Sequence, residues 1–492
     1  MSKLRVGPLL GMESDVLYTV CFATAQSCAQ CHVICGTQTL QCQAVGETFS
    51  TKVWRAEIAI QPTSQAQTLN YRIAVDGETA TCQNDREGWT FYVPGISETT
   101  LLAYASCNGF SSADLMHKTK RPYELWERMQ NQHDKVQPYS LLLMGGDQLY
   151  ADEIWSAVPE LKKWSELSHK NKLRRVTNKA MREQIDRFYE KLYEERWTNP
   201  AMSYLLASVP NVMIWDDHDI FDGWGSYPED LQTQCDVYRQ VFNTAKHYFE
   251  LFQVRSRSNQ SLLVDDGTFY SFGFAFRRYH VLALDNRAER TRQQIMSSVH
   301  WDKVNAHLSN IQTDKELLLL TAVPVVYRDF SFTETIFDHT PWEEELTDDL
   351  KDHWRAKEHQ GERARLIHRL LDNAERRKGN CKTVLLSGDV HIGCIGVINK
   401  LDTGCRIHQV VSSGIVHPSP SRLQWLGIMA ATNDNDEYLD EDRNIRISLL
   451  KPFSSDKYIR CRNYVTLKMG TDEKLWVNWE TEGGDEPCYP IQ

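Results

Sequence analysis

Apolar and polar residues alternate over short stretches in the first hundred residues. Four stretches are rich in β-branched and aromatic residues: 15–24, 51–60, 69–75 and 89–93. Turn signals such as Asp76-Gly77 separate them, and Pro94-Gly95 follows the last one. Short strands at this spacing are typical of a small antiparallel sandwich of the immunoglobulin or fibronectin type. We therefore expect an all-β N-terminal domain over residues 1–96.

Beyond residue 100, apolar stretches of strand length alternate with amphipathic stretches of helical spacing. The predicted strands are 101–106, 141–144, 212–215, a pair within 268–285, 317–326, 383–387 and 408–413. The predicted helices are 121–135, 229–253 and 343–378. This alternation predicts a layered α/β domain. We assign it residues 97–430, with a charged helical insertion at 153–200 and a strand-rich C-terminal extension, 431–492, packing on it.

Three of the predicted strands end in the same kind of polar cluster. The strand at 141–144 runs into Gly145-Gly146-Asp147, and the strand at 383–387 runs into Gly388-Asp389-Val390-His391. The third runs into Asp216-Asp217-His218-Asp219. Strands of one α/β sheet can bring their carboxyl ends to a single edge, where ligands are commonly bound. Three such endings in one chain predict a metal site.

Composition narrows the class of protein. The chain has 492 residues, of which 41% are hydrophobic and 25% charged, as in ordinary globular proteins. A net charge of −11 argues against a general nucleic-acid binder, which would need clustered Lys and Arg. Neither a signal peptide nor an apolar run of about 18 residues is evident. With thirteen Cys at irregular spacing, we expect a cytoplasmic protein without transmembrane segments.

Two further patterns have simpler interpretations. Cys28-Ala29-Gln30-Cys31-His32 has the form of a haem attachment site, and Cys35 and Cys42 nearby would allow zinc. We expect structural thiols instead, because the segment lies among predicted strands. The acidic stretch 433–442 lacks the spacing and glycine of an EF-hand loop, so we expect a solvated loop.

Taken together, the strand endings resemble the PhoD-like alkaline phosphatase branch of the calcineurin-like metallophosphoesterase superfamily. The matching motifs are Ala105-Ser106-Cys107-Asn108, Gly146-Asp147-Gln148-Leu149-Tyr150, Asp216-Asp217-His218-Asp219, Leu284-Asp285-Asn286-Arg287 and Gly388-Asp389-Val390-His391. They depart from the general superfamily motifs in the way that this branch does. The resemblance covers roughly residues 100–415. It implies an α/β metallophosphatase fold, a layered β-sandwich flanked by helices, and a β-sandwich ahead of it fits the same branch.

The resemblance also implies a metal site that contains Fe3+ together with Ca2+, or with Mn2+ or Mg2+. Asp147 would bridge the metals, and Cys107 and Tyr150 would bind the ferric ion. The remaining implied ligands are Asp217, Asp222, Asp389 and His391. The metals would generate a hydroxide that attacks phosphorus. His218 would protonate the leaving oxygen or bind the phosphate, Arg287 would clamp phosphate oxygens, and Asp216 would orient His218.

These expectations give a metal-dependent hydrolase of phosphoric esters, with monoesters and diesters both open as substrates. A nuclease or a phospholipase with the same site chemistry is an alternative. A basic groove would favour the nuclease, and an exposed apolar rim near the site would favour the phospholipase. A further alternative is a catalytically weak metal-binding protein that serves as an interaction scaffold.

Overall fold

The computed structural model describes residues 2–329, 354–377, 381–453 and 456–492. The strands of the first part are β1 (Ser2–Lys3), β2 (Val6–Ser14), β3 (Leu17–Ala25), β4 (Cys31–Cys35), β5 (Gln38–Gln41), β6 (Gln43–Glu47), β7 (Thr51–Ala59), β8 (Gln67–Val75), β9 (Glu78–Thr81), β10 (Gly88–Val93), β11 (Leu101–Ala105), β12 (Leu141–Gly145) and β13 (Asn211–Ile214). Those of the second are β14 (Phe272–Phe276), β15 (Tyr279–Ala283), β16 (Glu316–Leu320), β17 (Thr383–Ser387), β18 (Gly393–Lys400), β19 (Cys405–Val411), β20 (Glu437–Tyr438), β21 (Ile445–Leu450), β22 (Tyr458–Ile459), β23 (Asn463–Met469), β24 (Leu475–Thr481) and β25 (Cys488–Ile491).

The helices that the structure describes lie mainly between the strands of the α/β region. They are α1 (Ala113–Lys118), α2 (Glu124–Lys135), α3 (Ile154–Ala157), α4 (Pro159–Ser165), α5 (His169–Arg174), α6 (Lys179–Trp197), α7 (Pro200–Ser208), α8 (Asp236–Phe249), α9 (Ser298–Asn310), α10 (Gln360–Arg376) and α11 (Arg422–Ala431). Short 3-10 turns occur at Asp217–Asp219 and Lys357–His359, and π turns at Asp230–Gln234 and Glu250–Val254. None of these helices combines the length and apolar character needed to cross a bilayer.

Two large mixed sheets form the centre of the molecule. Sheet I has the order β25-β24-β23-β11-β12-β13-β2-β3-β7-β6, and β11, β12 and β13 within it are parallel. Sheet II has the order β14-β15-β16-β17-β19-β18-β21-β20, with β22 beside β18, and β15, β16, β17 and β19 are parallel. In sheet I, β2 pairs in parallel with β13, and the antiparallel neighbours are β23 beside β11 and β3 beside β2. In sheet II they are β14 beside β15 and β18 beside β19.

The period-two alternation of the strands explains the layers. Leu141 and Leu143 of β12 lie in a core shared with sheet II, whereas Leu142 and Met144 lie in a second core with helices α2, α6, α7 and α8. In sheet II, Leu385 belongs to a third core with α9 and α10. Sheets I and II therefore pack face to face and carry helices on their outer faces. The predicted layered α/β arrangement, with packed sheets flanked by helices, is confirmed.

The N-terminal strands join the larger fold. Strands β2, β3, β7 and β6 extend sheet I, with β2 pairing with β13 through Gly11 and Asn211. A third sheet, β1-β9-β8-β4-β5 with β10 beside β8, packs over them. All four predicted N-terminal strands are present, but one of their sheets is continuous with the α/β region. Local alternation cannot reveal this pairing, because the paired residues are 200 positions apart in the chain.

Most other predicted elements are also present. The helix predicted at 121–135 is α2, and the stretch 229–253 is α8 with a π turn at each end. The insertion at 153–200 is helical and buries Met181, Ile185 and Tyr189 along one face of α6. The helix predicted at 343–378 corresponds to α10 in its second half, and its first part, 343–353, lies outside the described residues.

Candidate metal centre

The predicted site residues occupy loops that leave the carboxyl ends of parallel strands. In sheet I these strands are β11, β12 and β13, followed by Cys107, Asp147 and Asp216 respectively. In sheet II, Arg287 follows β15, and Asp389 and His391 follow β17. The buried strands fix where each loop begins, so the two sheets deliver these side chains to one end of the molecule.

Four of the predicted ligands have left-handed backbone conformations. The φ angles are 50° at Cys107, 52° at Asp147, 68° at Asp389 and 52° at His391. Such a conformation costs a residue other than glycine about 1–3 kcal/mol and persists only when the surroundings enforce it. The fold therefore bears backbone strain where these side chains meet, which is characteristic of functional sites.

Ligand atoms of the described residues form three overlapping groups, each with all its atoms within 4.8 Å of one another. The groups are Cys107, Asp147 and His391; Asp147, Asp217 and His218; and Asp147, Asp216, Asp217 and Asp389. Asp147 belongs to all three. It therefore lies where a carboxylate that bridges two metal ions would have to lie.

The charge around Asp147 favours cation binding. Asp147 is buried, its Oδ2 accepts from the Cys107 thiol at 3.5 Å, and its Oδ1 has no hydrogen-bond partner among the described residues. Burial, and then the neighbouring Asp216 carboxylate, raise the pKa of Asp147 well above its usual range. A buried carboxylate of this kind is stabilised when a cation binds it. The residues present thus fit a metal centre.

Cys107 and Tyr150 lie on the same side of Asp147. Burial raises the pKa of both groups well above the usual ranges, and the charge of Asp147 adds to the effect. The Tyr150 hydroxyl is 3.2 Å from Nε2 of His391. A metal ion that binds this thiol and phenol must displace their protons, so its affinity rises with pH.

His218 is held by a carboxylate that the sequence did not single out. Its Nδ1 lies 2.9 Å and 3.0 Å from the two oxygens of Asp152, and its ring stacks on Tyr150 at 4.3 Å. Burial alone would lower the pKa of His218, but Asp152 and Asp217 outweigh it and raise the pKa well above the usual range. Asp152 is thus placed to orient His218, and the same role for Asp216 stays a prediction. The position of Asp152, five residues after Asp147, is the one feature of the sequence that could have indicated its contact with His218.

Asp216 and Asp219 instead hold their own loop together. Together they form a capping box at the ends of the Asp217–Asp219 turn. Asp219 also accepts backbone N–H groups of Gln148 at 3.2 Å and Leu149 at 3.1 Å, which ties this loop to the one that carries Asp147. Because Asp219 is buried and accepts several N–H bonds, it stabilises the conformation of both loops.

Arg287 does not line the open site as the predicted phosphate clamp would. Its side chain is fully buried; Nε donates to Asp216, and Nη1 donates to the Trp224 carbonyl at 2.8 Å. Nη2 lies 3.5 Å from Asp217. The guanidinium is engaged with carboxylates of the protein itself, and the phosphate clamp stays a prediction. A sequence motif gives the residue type but not the direction of its side chain.

Asp222 lies beside the cluster. Its backbone N–H donates to Asp152 at 2.9 Å, and it belongs to none of the three ligand groups found among the described residues. Its metal-binding role stays a prediction.

His417 is a site residue that the sequence did not reveal. Its ring stacks on His391 at 3.6 Å and on Tyr150 at 5.4 Å, and Nε2 lies 3.3 Å from the Ser111 hydroxyl. Burial, and then the charge of His218, lower the pKa of His417 to about 3, so its ring is neutral. Its backbone N–H donates to the Cys107 carbonyl at 3.1 Å. No local motif marks it.

Gly388 permits the close approach of the two sheets. A Cβ at this position would lie 2.2 Å from Oγ and 2.4 Å from Cβ of Ser106, which precedes Cys107. Real Cβ atoms do not approach so closely, so a larger residue would separate the loops that carry Cys107 and Asp389. The glycine of the Gly-Asp-x-His motif is thus a packing requirement.

The haem-like motif lies elsewhere, at the start of β4. Cys28 and Cys31 are buried with their sulfur atoms 3.4 Å apart. The metal-ligand groups found in the described part of the chain do not include them.

The combination of two packed mixed sheets, outer helices and a ligand cluster at strand ends defines a metallophosphatase fold. The solved structure of PhoD has a TM-score of 0.59 and 13% identity, and the match covers 99% of this chain and 88% of that one. Purple acid phosphatase PPD1 from yellow lupin has a TM-score of 0.52 and 11% identity, with coverages of 99% and 74%. At these identities the likeness concerns the fold.

The chain belongs to the PhoD-related phosphatase family, whose model matches residues 83–342, more than half of its length. A relative in Saccharomyces cerevisiae, the uncharacterized protein YGR266W, is 28% identical over 405 residues. That match covers 70% of this chain and 56% of the yeast protein. The chain therefore spans little more than half the length of this relative.

Proposed function

We propose that the chain hydrolyses phosphoric esters at a two-metal centre bridged by Asp147. The observation that carries the proposal is the convergence of three ligand groups on this single buried carboxylate. Membership of a phosphatase family supports the same reaction class. A metal-binding interaction scaffold would also use the four strained ligand positions, but the buried His-Asp pair beside them suits proton transfer and favours catalysis.

We propose different ligands for the two ions. Cys107, Tyr150 and His391 would bind a ferric ion, since a thiolate and a phenolate suit a highly charged metal. Asp217, Asp389 and Asp222 would bind Ca2+, Mn2+ or Mg2+, which prefer oxygen ligands. When bound, the ions supply Lewis-acid activation of water and of the phosphoryl group.

The residues around the metals would transfer the proton and position the ligands. Water loses a proton to solvent as its oxygen bonds to phosphorus, and the bond from phosphorus to the ester oxygen breaks. His218 would donate a proton to that leaving oxygen and then be reprotonated from solvent. Asp152 holds the Nδ1 side of His218, which leaves Nε2 for the substrate. Arg287 acts as a positioning residue, because it fixes Asp216 and Asp217 from behind.

Metal analysis and hydrolysis of soluble esters test the proposal. Metal-loaded protein should hydrolyse bis(p-nitrophenyl) phosphate, p-nitrophenyl phosphate or both, and the ratio of the two rates assigns diester or monoester preference. Asp147→Asn should lose metal and activity, whereas Asp442→Asn, a change in the exposed acidic loop, should lose neither. A metal-loaded chain that hydrolyses neither ester contradicts the function.

The iron assignment has its own test. Ferric thiolate or phenolate coordination gives a charge-transfer absorption, so the protein should be coloured, and Cys107→Ser and Tyr150→Phe should shift or abolish the band. A colourless, fully active enzyme contradicts it.

We also propose the division into residues 1–96, 97–430 and 431–492, with an immunoglobulin-like first part. The all-β character of residues 2–93 supports it, although sheet I runs through all three parts. Limited proteolysis near residue 96 that releases a folded fragment would support the first boundary; cutting that unfolds the whole chain would contradict it.

A further inference from the structure

Helix α11 exposes apolar side chains on its outer face. Leu423, Leu426 and Met429 are 81%, 64% and 40% exposed, and Leu423 is the most exposed large apolar residue in the described part of the chain. Leu423 and Leu426 are spaced i, i+3, as are Leu426 and Met429, so each pair is adjacent on the helix surface. Contiguous exposed apolar surface of this kind usually marks an interaction site.

The opposite face of α11 is anchored firmly. Trp425 is buried against the Tyr458 ring at 5.0 Å, and Arg328 donates to both the hydroxyl and the carbonyl of Thr432 at the end of the helix. A capping box between Ser421 and Gln424 fixes its first turn. The leucines are therefore held outward by a rigid element.

This helix borders the candidate metal centre. Only three residues separate His417, which stacks on His391, from the N-cap of α11. The Nε2–Oγ contact from His417 to Ser111 then joins α11 to helix α1, since Ser111 directly precedes the N-cap of that helix. No side chain of α1 is buried, and Met116 on it is 46% exposed. Both helices thus extend from loops that contribute to the site.

Basic residues adjoin the same surface. Arg462 donates to the backbone carbonyls of Lys120 at 3.2 Å and Arg121 at 3.3 Å, which ties the segment after α1 to the loop between β22 and β23. Tyr458 of β22, at the start of that loop, packs against Trp425 of α11. We call the combined surface the rim; its exposed members are Met116, Lys118, Lys120, Arg121, Arg422, Leu423, Leu426, Met429 and Arg460.

The charge of the rim is opposite to that of the whole chain, which is −11. Lys118 pairs with Asp114 at 3.6 Å, and Arg121 pairs with Glu124 at 3.3 Å and with Glu127 at 3.2 Å; the Lys118 and Arg121 side chains are 77% and 67% exposed, so these pairs are weak. Lys120, Arg422 and Arg460 add further exposed positive charge. Apolar side chains on a fixed helix beside clustered Lys and Arg match an anionic lipid surface, where shallow insertion and charge attraction act together.

We propose that the rim docks on the surface of an anionic phospholipid bilayer and so brings head-group phosphate esters to the metal centre. The second half of this statement rests on the hydrolase function proposed above; the docking itself does not. A ten-residue helix offers little apolar area, so both the leucines and the basic residues are needed for binding.

Vesicle cosedimentation of the metal-loaded chain tests the docking. The chain should bind phosphatidylcholine vesicles that contain about 30 mol % phosphatidylserine. It should not bind vesicles of pure phosphatidylcholine, and about 0.5 M NaCl should release it from the anionic vesicles. Leu423→Ser combined with Leu426→Ser should weaken binding at least about tenfold, and Lys120→Glu with Arg422→Glu should act similarly.

Controls separate the docking from general effects. Leu401→Ser changes an exposed leucine in the β18–β19 turn, at the end of β19 remote from the site, and should bind like the parent chain. Asp147→Asn should also bind vesicles normally while losing hydrolysis. The leucine variants should keep parent activity on soluble esters.

Each outcome is decisive. A parent chain that hydrolyses soluble esters but does not bind anionic vesicles overturns the docking and leaves the hydrolase function intact. Vesicle binding that depends on the leucines, in a chain inactive on every ester, supports the docking and contradicts the proposed function. If the leucine variants instead change the particle mass in light scattering without any vesicle binding, the rim is a contact between copies of the chain and the proposal fails.

Discussion

Replacement of Arg287 distinguishes a positioning role from direct phosphate binding. The guanidinium is fully buried and donates to Asp216, to the Trp224 carbonyl at 2.8 Å and toward Asp217 at 3.5 Å. Arg287→Met removes the only positive charge in these contacts and leaves two buried carboxylates facing each other. Removing one partner of a buried ion pair typically costs about 3–5 kcal/mol.

That cost translates into a measurable loss of thermal stability. A change of 1 kcal/mol shifts Tm by about 2–4 °C in domains of 150–250 residues, and by less in longer ones. At an unfolding entropy of about 2.1 cal/mol/K per residue, 492 residues give a shift of about 1 °C per kcal/mol, so we expect Arg287→Met to lower Tm by roughly 3–5 °C. Arg287→Lys keeps the charge but cannot satisfy three separate acceptors from one ammonium group, so its loss should be about half as large.

The assay combines Tm, metal content and steady-state kinetics on a soluble ester. A positioning residue should lower metal content and kcat together, with little change in KM for the molecules that still hold metal. Arg174→Met, which changes an exposed arginine of α5, should leave all three unchanged. If Arg287→Met keeps the parent Tm and metal content but raises KM tenfold or more, Arg287 contacts the substrate and the reasoning from its burial is wrong.

Further changes have equally direct readouts. Asp152→Asn should lower kcat about 100-fold with metal content unchanged, because His218 loses its carboxylate partner; unaltered kcat would exclude the pair from catalysis. Gly388→Ala should destabilise the fold by about 1–3 kcal/mol and lower the metal content, because the added Cβ clashes with the Ser106 side chain. Adding Ser106→Gly to this variant should restore both quantities; if it does not, the clash lies elsewhere. Burial, and then the charge of Glu486, raise the pKa of Glu480 from 4.5 to about 7. Glu480 therefore binds a proton more tightly in the folded chain than in the unfolded chain, so the free energy of unfolding should fall as pH rises from about 4.5 to 7. Denaturant unfolding at pH 5 and pH 8 should show this loss, up to about 3 kcal/mol, and Glu480→Gln should abolish it; an equal loss in the variant would assign it to another group.

Local patterns along the chain were sufficient to predict the strands that carry the site. Apolar runs such as 141–144 and 383–387 are strands because they must be buried on both faces, and the glycine and aspartate that follow each run mark its end. Asp147 and Asp389 could therefore be placed at one end of the fold. Their left-handed backbone could not, since it is imposed by the packing of the two sheets.

Long-range contacts account for what the sequence did not reveal. Asp152 reaches His218 across 66 positions, and His417 reaches Ser111 across 306. No local periodicity encodes such pairs. For Arg287 the motif gave the residue type but not the direction of its side chain. That direction decides whether the guanidinium binds substrate or holds Asp216 and Asp217 in position.

The charge balance of the site explains why a buried arginine and metal ions occur together. Asp147, Asp216, Asp217 and Asp389 bring ligand atoms within 4.8 Å of one another, a concentration of negative charge that a low-dielectric interior does not tolerate alone. Arg287 offsets part of it from behind, next to Asp216 and Asp217. Asp147, whose Oδ1 has no hydrogen-bond partner among the described residues, is not offset in this way. The fold thus compensates Asp216 and Asp217 with an arginine. In the proposed metal centre, cations would compensate Asp147, which would couple metal loading to the stability of the site.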